Sequence, residues 1–337
     1  MANDPLAGFP APLGVPPQFE QPEPPRDSSM PPEPMRPRIW LHFALFGLTL
    51  ISMQITAMGP GTVLPGHTVA GTAAYQALSL LGILLVHEAG HYIASRLHRV
   101  PASPPYFIPL PFVGFGTLGA VITMNGRIRS RKALLDIGAA GPLAGMLVAL
   151  PVLYIGLRMS EVAPLGKDGY IQEGQSILYW LMKRLTFGPI PPGSDVMLHP
   201  MAFAGWGGFF LTMLNLLPWG QLDGGHIAFA LFGKNQHRFA RWFRSGLLVA
   251  FAYNVVTLLL PALLKHSRQT WKEAAPSCIF WLVWYGITGA MKWFAGEDHP
   301  PYEPEPLGLP RQLVAVACLV LFVLLFLPTP MAMYPAQ

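Results

Sequence analysis

The sequence predicts an all-α polytopic membrane protein, with about seven transmembrane helices and a small β-hairpin or re-entrant segment between the second and third helices. Composition is the first reason: of 337 residues, 52% are hydrophobic and only 12% are charged, whereas soluble domains carry about 25% charged residues. The second reason is that the apolar residues form long runs rather than amphipathic stripes. This pattern argues against an ordinary soluble protein.

Seven apolar segments account for the predicted helices. They cover residues 39–58, 73–97, 133–157, 201–232, 245–264, 277–291 and 312–328. Most reach the roughly 20 residues that a helix needs to cross the hydrocarbon core, and the sixth is the shortest. The fourth would run about 47 Å as one helix, against a core of about 30 Å. We therefore expect a break in it, at Pro218 or at one of its glycines.

The chain divides into four predicted regions. Residues 1–37 contain 12 prolines and form a disordered cytosolic tail, for which a docking role and a plain solvated role both stay open. Residues 38–72 hold the first transmembrane helix and an outer loop. Residues 73–235 form the core that carries the motifs described below, and 236–337 add further C-terminal helices.

One apolar stretch does not fit a helix. It is PPYFIPLPFVGFGTLGAVITMN, at 104–125, and proline and glycine interrupt it too often. Its part from Gly116 to Met124 favours a strand. Non-helical backbone at membrane depth must be covered by protein or line a wet cavity. We therefore expect this hairpin or re-entrant loop to pack over a site near the cytosolic face.

The net charge of +5 does not indicate a nucleic-acid partner, because the basic residues lie at the ends of apolar runs. With the N-terminus in the cytosol, 15 of the 22 Lys and Arg residues fall on the cytosolic side. This bias favours an inside N-terminus and an outside C-terminus. Cys278 and Cys318 lie in separate apolar runs without metal-ligand spacing, which argues against a disulfide framework.

The second apolar segment carries the pattern HExxH, as His87, Glu88 and His91. Positions i and i+4 share one helical face, so both imidazoles can reach one zinc ion. Glu88 flanks the pair closely enough to act as a general base on the attacking water. Ionisable groups inside an apolar helix are costly and usually functional, although a buried hydrogen-bonding cluster is the structural alternative.

A catalytic zinc usually has a third protein ligand, and the fourth segment offers Asp223. His87 lies nine residues before Arg96, and Asp223 lies eleven residues before Lys234. These separations correspond to about 13 and 16 Å of helix, so both groups should lie at similar depth below the cytosolic face. His226 could be the metal ligand instead of Asp223, or it could position a ligand without binding the metal. We favour Asp223 as the third ligand.

Together, HEAGH at 87–91 and NLLPWGQLDGG at 215–225 resemble the paired motifs of the site-2 protease family of intramembrane zinc proteases. The third segment, with DIGAAGPLAG, is similar to the Gly-Pro-containing helix that lies between the two motifs in this family. PYFIPLP and GTLGAVI resemble the hairpin segment of its bacterial and chloroplast branch. The likeness covers roughly residues 75–235 and implies that the region 73–235 is the catalytic core. It implies one zinc ion per chain, held by His87, His91 and Asp223, with Glu88 as general base.

The resemblance also implies that Asn215 binds the substrate backbone or the developing oxyanion, with helix–helix hydrogen bonding as its structural alternative. Pro218 and Gly224 would support the motif. The expected partners are a transmembrane protein substrate and the lipid bilayer, and the oligomeric state is left open. We expect a multi-pass protein of a bacterial inner membrane, with its active site towards the cytosol; a plastid membrane would give the same pattern.

Three alternatives compete with an intramembrane protease of this family. A metal transporter, or another non-proteolytic metal-binding membrane protein, would also place His and Asp in the membrane, but a transporter would need ligands that serve both faces. A metallopeptidase of the HExxH-plus-Glu type would need a central glutamate downstream, and Glu273 and Glu297 lie at helix ends. A catalytically silent adaptor is disfavoured because every motif residue is present.

Overall fold

A computed structural model of the chain describes residues 38–59, 63–124, 128, 130–165, 169–267, 269–295 and 306–335. The predicted proline-rich tail lies outside them. The described residues are mostly helical, as predicted. The helices are α1 (Ile39–Ala57), α2 (Val69–Leu97), α3 (Arg131–Arg158), α4 (Ile177–Phe187), α5 (Pro200–Asn215), α6 (Asp223–Phe232), α7 (Gln236–Asn254), α8 (Leu260–Leu263), α9 (Trp271–Ala295) and α10 (Leu309–Leu325). The strands are β1 (Tyr106–Pro109), β2 (Thr117–Val121), β3 (Glu161–Pro164), β4 (Tyr170–Glu173), β5 (Ser194–Met197) and β6 (Met331–Tyr334).

Five spans are long and apolar enough to cross a membrane, so the predicted count of seven is not confirmed. They are α1, α2, α3, the stretch Arg238–Leu263 and the stretch Trp271–Met291, within the part of the chain that the structure describes. A π-helical turn at Val255–Leu259 joins α7 to α8 in the fourth of them. The helix α10 is apolar but shorter.

The long apolar segment at 201–232 is broken, as predicted, into α5 and α6. The turn between them contains Pro218, which lacks a backbone N–H, and Gly220, whose φ of +52° favours glycine. Gly224 lies so close to this turn that an added Cβ would approach the carbonyl oxygen of Leu217 to 2.7 Å. The break leaves each half too short to count as a candidate span.

The predicted hairpin at 104–125 is present as the antiparallel pair β1–β2. Helix α1 packs against it, with the rings of Phe46 and Phe107 in edge-to-face contact at 5.3 Å. Ser52 Oγ donates a hydrogen bond of 2.6 Å to the carbonyl oxygen of Gly116. Gly116 has a φ of +81°, which only glycine adopts without strain. The hairpin is therefore fixed to the first helix.

Helices α2, α3 and α5 pack together in the middle of the molecule and supply most of its largest buried side chains. These include Ile83, Leu153, Trp206, Phe209 and Met213. Small residues allow the helices to approach closely, as is usual between helices in membranes. At Gly90 of α2, for example, an added Cβ would lie 2.9 Å from the Cβ of Ala144 on α3. This close contact fixes the depth and rotation of α2 relative to α3.

Asp136, in the first turns of α3, marks one end of the helix bundle. Its carboxylate accepts hydrogen bonds from Arg311 of α10, at 2.8 and 3.0 Å, and lies 2.8 Å from His98 at the end of α2. Arg131, at the start of α3, donates to the carbonyl oxygen of Leu231 at the end of α6. We call this end of the bundle, where α2 and α6 end and α3 and α10 begin, the Asp136 face.

The opposite end carries the connection between α3 and α5 and the end of the chain. Strands β3 and β5 pair with each other, and β4 pairs with the C-terminal β6. Lys183 of α4 is buried there between Glu173, at 3.2 Å, and Asp195, at 2.7 Å. Tyr179 also donates to Glu173, at 2.7 Å.

Candidate metal centre

Three side chains from two separate helices converge at the middle of the molecule. His87 and His91 lie one turn apart on α2, and Asp223 is the first residue of α6. The Nε2 atoms of the two histidines are 3.1 Å apart. Asp223 Oδ2 lies 3.3 Å from His87 Nε2 and 3.2 Å from His91 Nε2. Among the described residues, these three form the one group of His, Cys, Asp or Glu that could hold a metal ion.

The spacing of these three atoms suits a tetrahedral zinc site. Zinc bonds to nitrogen and oxygen ligands of about 2.0–2.2 Å imply ligand atoms about 3.3–3.5 Å apart in a tetrahedron. The three observed separations, 3.1, 3.2 and 3.3 Å, are within a few tenths of an ångström of that value. Two imidazoles and one carboxylate also match a catalytic site that leaves its fourth position open.

The orientation of His91 is fixed by α3. Its Nδ1 lies 2.7 Å from the carbonyl oxygen of Ile137. Because a carbonyl can only accept, Nδ1 carries the proton, and in the neutral ring the Nε2 lone pair is left for a metal. The side of α3 that faces the ring carries Gly141, where an added Cβ would overlap His91 Nε2. Gly145 makes similar room for His87, whose Nδ1 would be 3.1 Å from an added Cβ.

Glu88 lies next to the metal-binding pair and is only 6% exposed. Within the described part of the chain, no hydrogen bond or ion pair occupies its carboxylate. A general base must be able to reach and hold a proton, and a carboxylate already committed to an arginine or lysine would do so poorly. Its place beside the two histidines therefore suits the role that the sequence predicts.

The motif residues on the α5–α6 segment lie around the same point. Asn215, the last residue of α5, has its Nδ2 3.3 Å from His87 Nε2. Pro218 lies in the turn, and Gly224 packs against the backbone of that turn. His226 lies three residues after Asp223, where its Cβ faces Gly138 of α3, and it is outside the three-residue group. The structure thus brings Asn215 to the centre and leaves His226 behind Asp223.

The contribution of α3 to this centre was not predicted from the sequence. Gly138, Gly141 and Gly145 face His226, His91 and His87, respectively. Their spacing of three and four residues is that of one helical face. This spacing was visible in DIGAAGPLAG, but spacing alone does not distinguish a ligand-facing surface from ordinary close helix packing.

Comparison with known proteins agrees with this geometry. Residues 75–259, more than half of the chain, match the model of Peptidase family M50. The chain is 36% identical over 165 residues to probable zinc metalloprotease EGY1, chloroplastic, of Arabidopsis thaliana, covering 47% of this chain and 30% of that protein. It is 32% identical over 162 residues to probable zinc metalloprotease EGY2, chloroplastic, of Oryza sativa subsp. indica, covering 48% and 29%.

The matched regions span less than a third of the length of these relatives. The matched family region nevertheless contains both halves of the metal centre, His87 and His91 on α2 and Asp223 on α6, and the turn between α5 and α6. The resemblance to site-2 proteases that the two motifs indicated is therefore confirmed, and the chain belongs to Peptidase family M50.

Proposed function

We propose that this protein is an intramembrane zinc endopeptidase that hydrolyses peptide bonds in the transmembrane segments of other membrane proteins. The observation that carries the proposal is the convergence of His87, His91 and Asp223, with ligand atoms 3.1–3.3 Å apart, on helices buried in an apolar bundle. Zinc in the names of the matched relatives supports one zinc ion per chain at this point.

In this proposal, different residues of the chain have separate roles in hydrolysis. Bound zinc would polarise the scissile carbonyl and lower the pKa of water. Glu88 accepts a proton from the attacking water and delivers it to the leaving amine as the C–N bond breaks. The Asn215 amide, 3.3 Å from His87 Nε2, is close enough to donate to the oxygen on which negative charge develops.

A helical substrate must unwind before it can be cut, because its carbonyls are held in its own hydrogen bonds. We propose that β2 receives the unwound segment as an added strand. Helix α1 covers β1, while Leu118 and Val121 of β2 are 66% and 49% exposed. The Sδ atom of Met124, just beyond β2, lies 3.8 Å from Oγ of Ser95 on α2. Ser95 is one helical turn after His91. A strand added to β2 would therefore run towards the centre.

The proposal includes an orientation and a location. Arg96, Arg131, Lys132 and Arg311 lie at or near the Asp136 face, and the positive-inside rule puts such a face in the cytosol. We propose a bacterial inner membrane. The matched relatives are named chloroplastic, and in a plastid the same face would be stromal. The predicted regions 1–37, 38–72, 73–235 and 236–337 remain part of this proposal.

A single comparison tests the catalytic assignment. Wild type, Glu88→Gln and the control Glu161→Gln, which changes an exposed carboxylate on β3, are purified in detergent and mixed with a reporter that contains one transmembrane helix. We expect Glu88→Gln to retain stoichiometric zinc and to lose cleavage, and Glu161→Gln to retain both. Cleavage by Glu88→Gln would refute the assigned base.

Membership of the M50 family disfavours the alternative of a metal transporter. The same preparations distinguish the two functions. In liposomes, a transporter would move zinc across the bilayer at a rate that Glu88→Gln need not abolish, and it would leave the reporter intact. A protease would cut the reporter and show no zinc flux above that of empty liposomes.

A further inference from the structure

The first half of α7 is strongly basic. Between Asp223 and Glu273 the sequence contains no acidic residue, and the stretch GKNQHRFARWFRS at 233–245 carries Lys234, Arg238, Arg241 and Arg244. The three arginines recur every third position, so they lie along one side of the helix. Arg238 and Arg241 are exposed. Neither has an ion pair or side-chain hydrogen bond with any residue that the structure describes.

Large aromatic side chains accompany these arginines. Trp242 is 81% exposed and Phe239 is 47% exposed. Exposed tryptophan beside arginine is typical of the membrane–water interface, where the ring lies among headgroups and the charge meets phosphate. The candidate membrane span begins at Arg238. Helix α7 follows α6 through the 3-10 turn Gly233–Asn235, so its first residues lie at the Asp136 face.

Arg244 lies deeper, six residues or about 9 Å along the helix from Arg238. Its guanidinium carbon lies 4.1 Å from the ring centre of Tyr285 and 5.7 Å from that of Trp219. Within the described ranges, its buried Nε has no hydrogen-bond partner, and no acidic side chain pairs with it. Arginines inside membrane segments are normally neutralised by a counter-ion or extend to a lipid headgroup. We therefore expect Arg244 to bind an anion.

Trp219 connects Arg244 to the metal centre. It belongs to the turn between α5 and α6, is 6% exposed, and donates through Nε1 to the carbonyl oxygen of Thr288 on α9 at 2.9 Å. The turn that positions Asp223 is therefore held from outside by α7 and α9. A ligand bound to the arginines of α7 would contact the residues that support this turn.

We propose that Arg238, Arg241 and Arg244 form a binding site for the headgroup of an anionic phospholipid at the start of α7. Three features fit a phosphate attached to acyl chains: exposed arginines with no acidic partner among the described residues, interfacial aromatic rings, and a deeper guanidinium for which no described side chain is a counter-ion. The site lies outside the metal centre, and its existence does not depend on the proposed proteolytic activity.

Lipid preference measured at Trp242 tests the proposal. The full chain is reconstituted in phosphatidylcholine bilayers containing brominated phosphatidylglycerol or brominated phosphatidylcholine, and tryptophan quenching gives the relative affinity for the two lipids. The Trp242→Phe variant identifies the signal of that ring. We expect preferential quenching by phosphatidylglycerol. Each arginine near an anionic surface should contribute about fivefold, so Arg238→Gln/Arg241→Gln should lower the preference about 25-fold.

The control makes the same charge change away from the site. Lys265→Gln/Lys272→Gln removes two exposed lysines at the other end of the span that α7 begins, and we expect it to leave the preference unchanged. Loss of preference in both double variants, or in neither, would overturn the proposal. So would complete competition by inorganic phosphate at constant ionic strength, because the site would then bind a soluble anion rather than a lipid.

Discussion

Replacement of Gly141 by alanine tests whether α3 shapes the metal centre. The new methyl carbon would occupy the same space as His91 Nε2, closer than non-bonded atoms can approach. Such atoms need about 3.5 Å, so the ring must move by more than 1 Å or rotate away. Zinc ligand distances tolerate only about 0.2 Å. One ligand of three should therefore be lost, and zinc affinity should fall by at least the 10–100-fold typical of a disturbed supporting residue.

The assay is zinc content after equilibration with a competing chelator, measured by elemental analysis on purified protein. A graded series supplies the controls. Gly145→Ala adds a methyl 3.1 Å from His87 Nδ1, while Gly82→Ala on α2 meets no atom within 4 Å. Zinc retention should decrease in the order Gly82→Ala, Gly145→Ala, Gly141→Ala. Thermal unfolding in the presence of chelator shows whether each variant still folds without metal.

Wild-type zinc affinity in Gly141→Ala would refute this reasoning, because the added methyl cannot coexist with the observed position of His91. Equal loss in Gly82→Ala and Gly141→Ala would also refute it, since a general effect of glycine replacement on helix packing would then explain the result. Cleavage activity should follow zinc content across the series.

Three further predictions concern stability. Lys183→Met leaves Glu173 and Asp195 buried without their cation, so the free energy of unfolding should fall by about 3–5 kcal/mol. Denaturant titration measures this change, and a decrease below about 1 kcal/mol would contradict the prediction. Burial alone would raise the pKa of Asp195, but the hydrogen bond and charge of Lys183 outweigh burial and hold that pKa below its ordinary value. The stability from this pair should therefore be present above about pH 4, the ordinary range of an aspartate pKa, and should be lost as the pH falls further. In thermal unfolding at stepped pH, Lys183→Met should show a weaker loss of stability at low pH. Asp136→Asn removes the shared partner of His98 and Arg311, whose side chains are about a quarter and two-fifths exposed. It should lower stability by only about 1 kcal/mol, and a larger loss than that of Lys183→Met would contradict this.

Much of this architecture was predictable because membrane insertion imposes simple rules. Long apolar runs gave α1, α2 and α3 to within a few residues, and proline and glycine gave both the hairpin and the break before Asp223. The count of seven spans was not confirmed for two reasons: the break divides one long apolar run into α5 and α6, which are 16 and 10 residues long, and α10 has only 17 residues. The length of an apolar run does not show whether the two halves of a broken helix cross the bilayer.

The candidate site was predictable where a residue carries chemistry in its side chain. His87, Glu88 and His91 follow from one helical pattern, and Asp223 follows from an acid placed at matching depth. The role of Ile137 was not predictable, because its contribution is a backbone carbonyl that any residue could supply. The salt bridges of Lys183 were not predictable from the sequence either. Glu173 lies on β4 and Asp195 on β5, and each of these strands pairs with a different partner, β6 and β3 respectively.

The pairing of β4 with β6 has a consequence for how the protein is made. Tyr170 and Glu173 pair with Tyr334 and Met331 of β6, which follows all the described helices in the sequence. The edge of β4 must therefore remain open while every later helix is inserted, although an unpaired strand edge invites association with other chains. This end of the molecule is therefore completed only after α10 has been made, and residues inserted directly after Tyr334 would adjoin a paired strand.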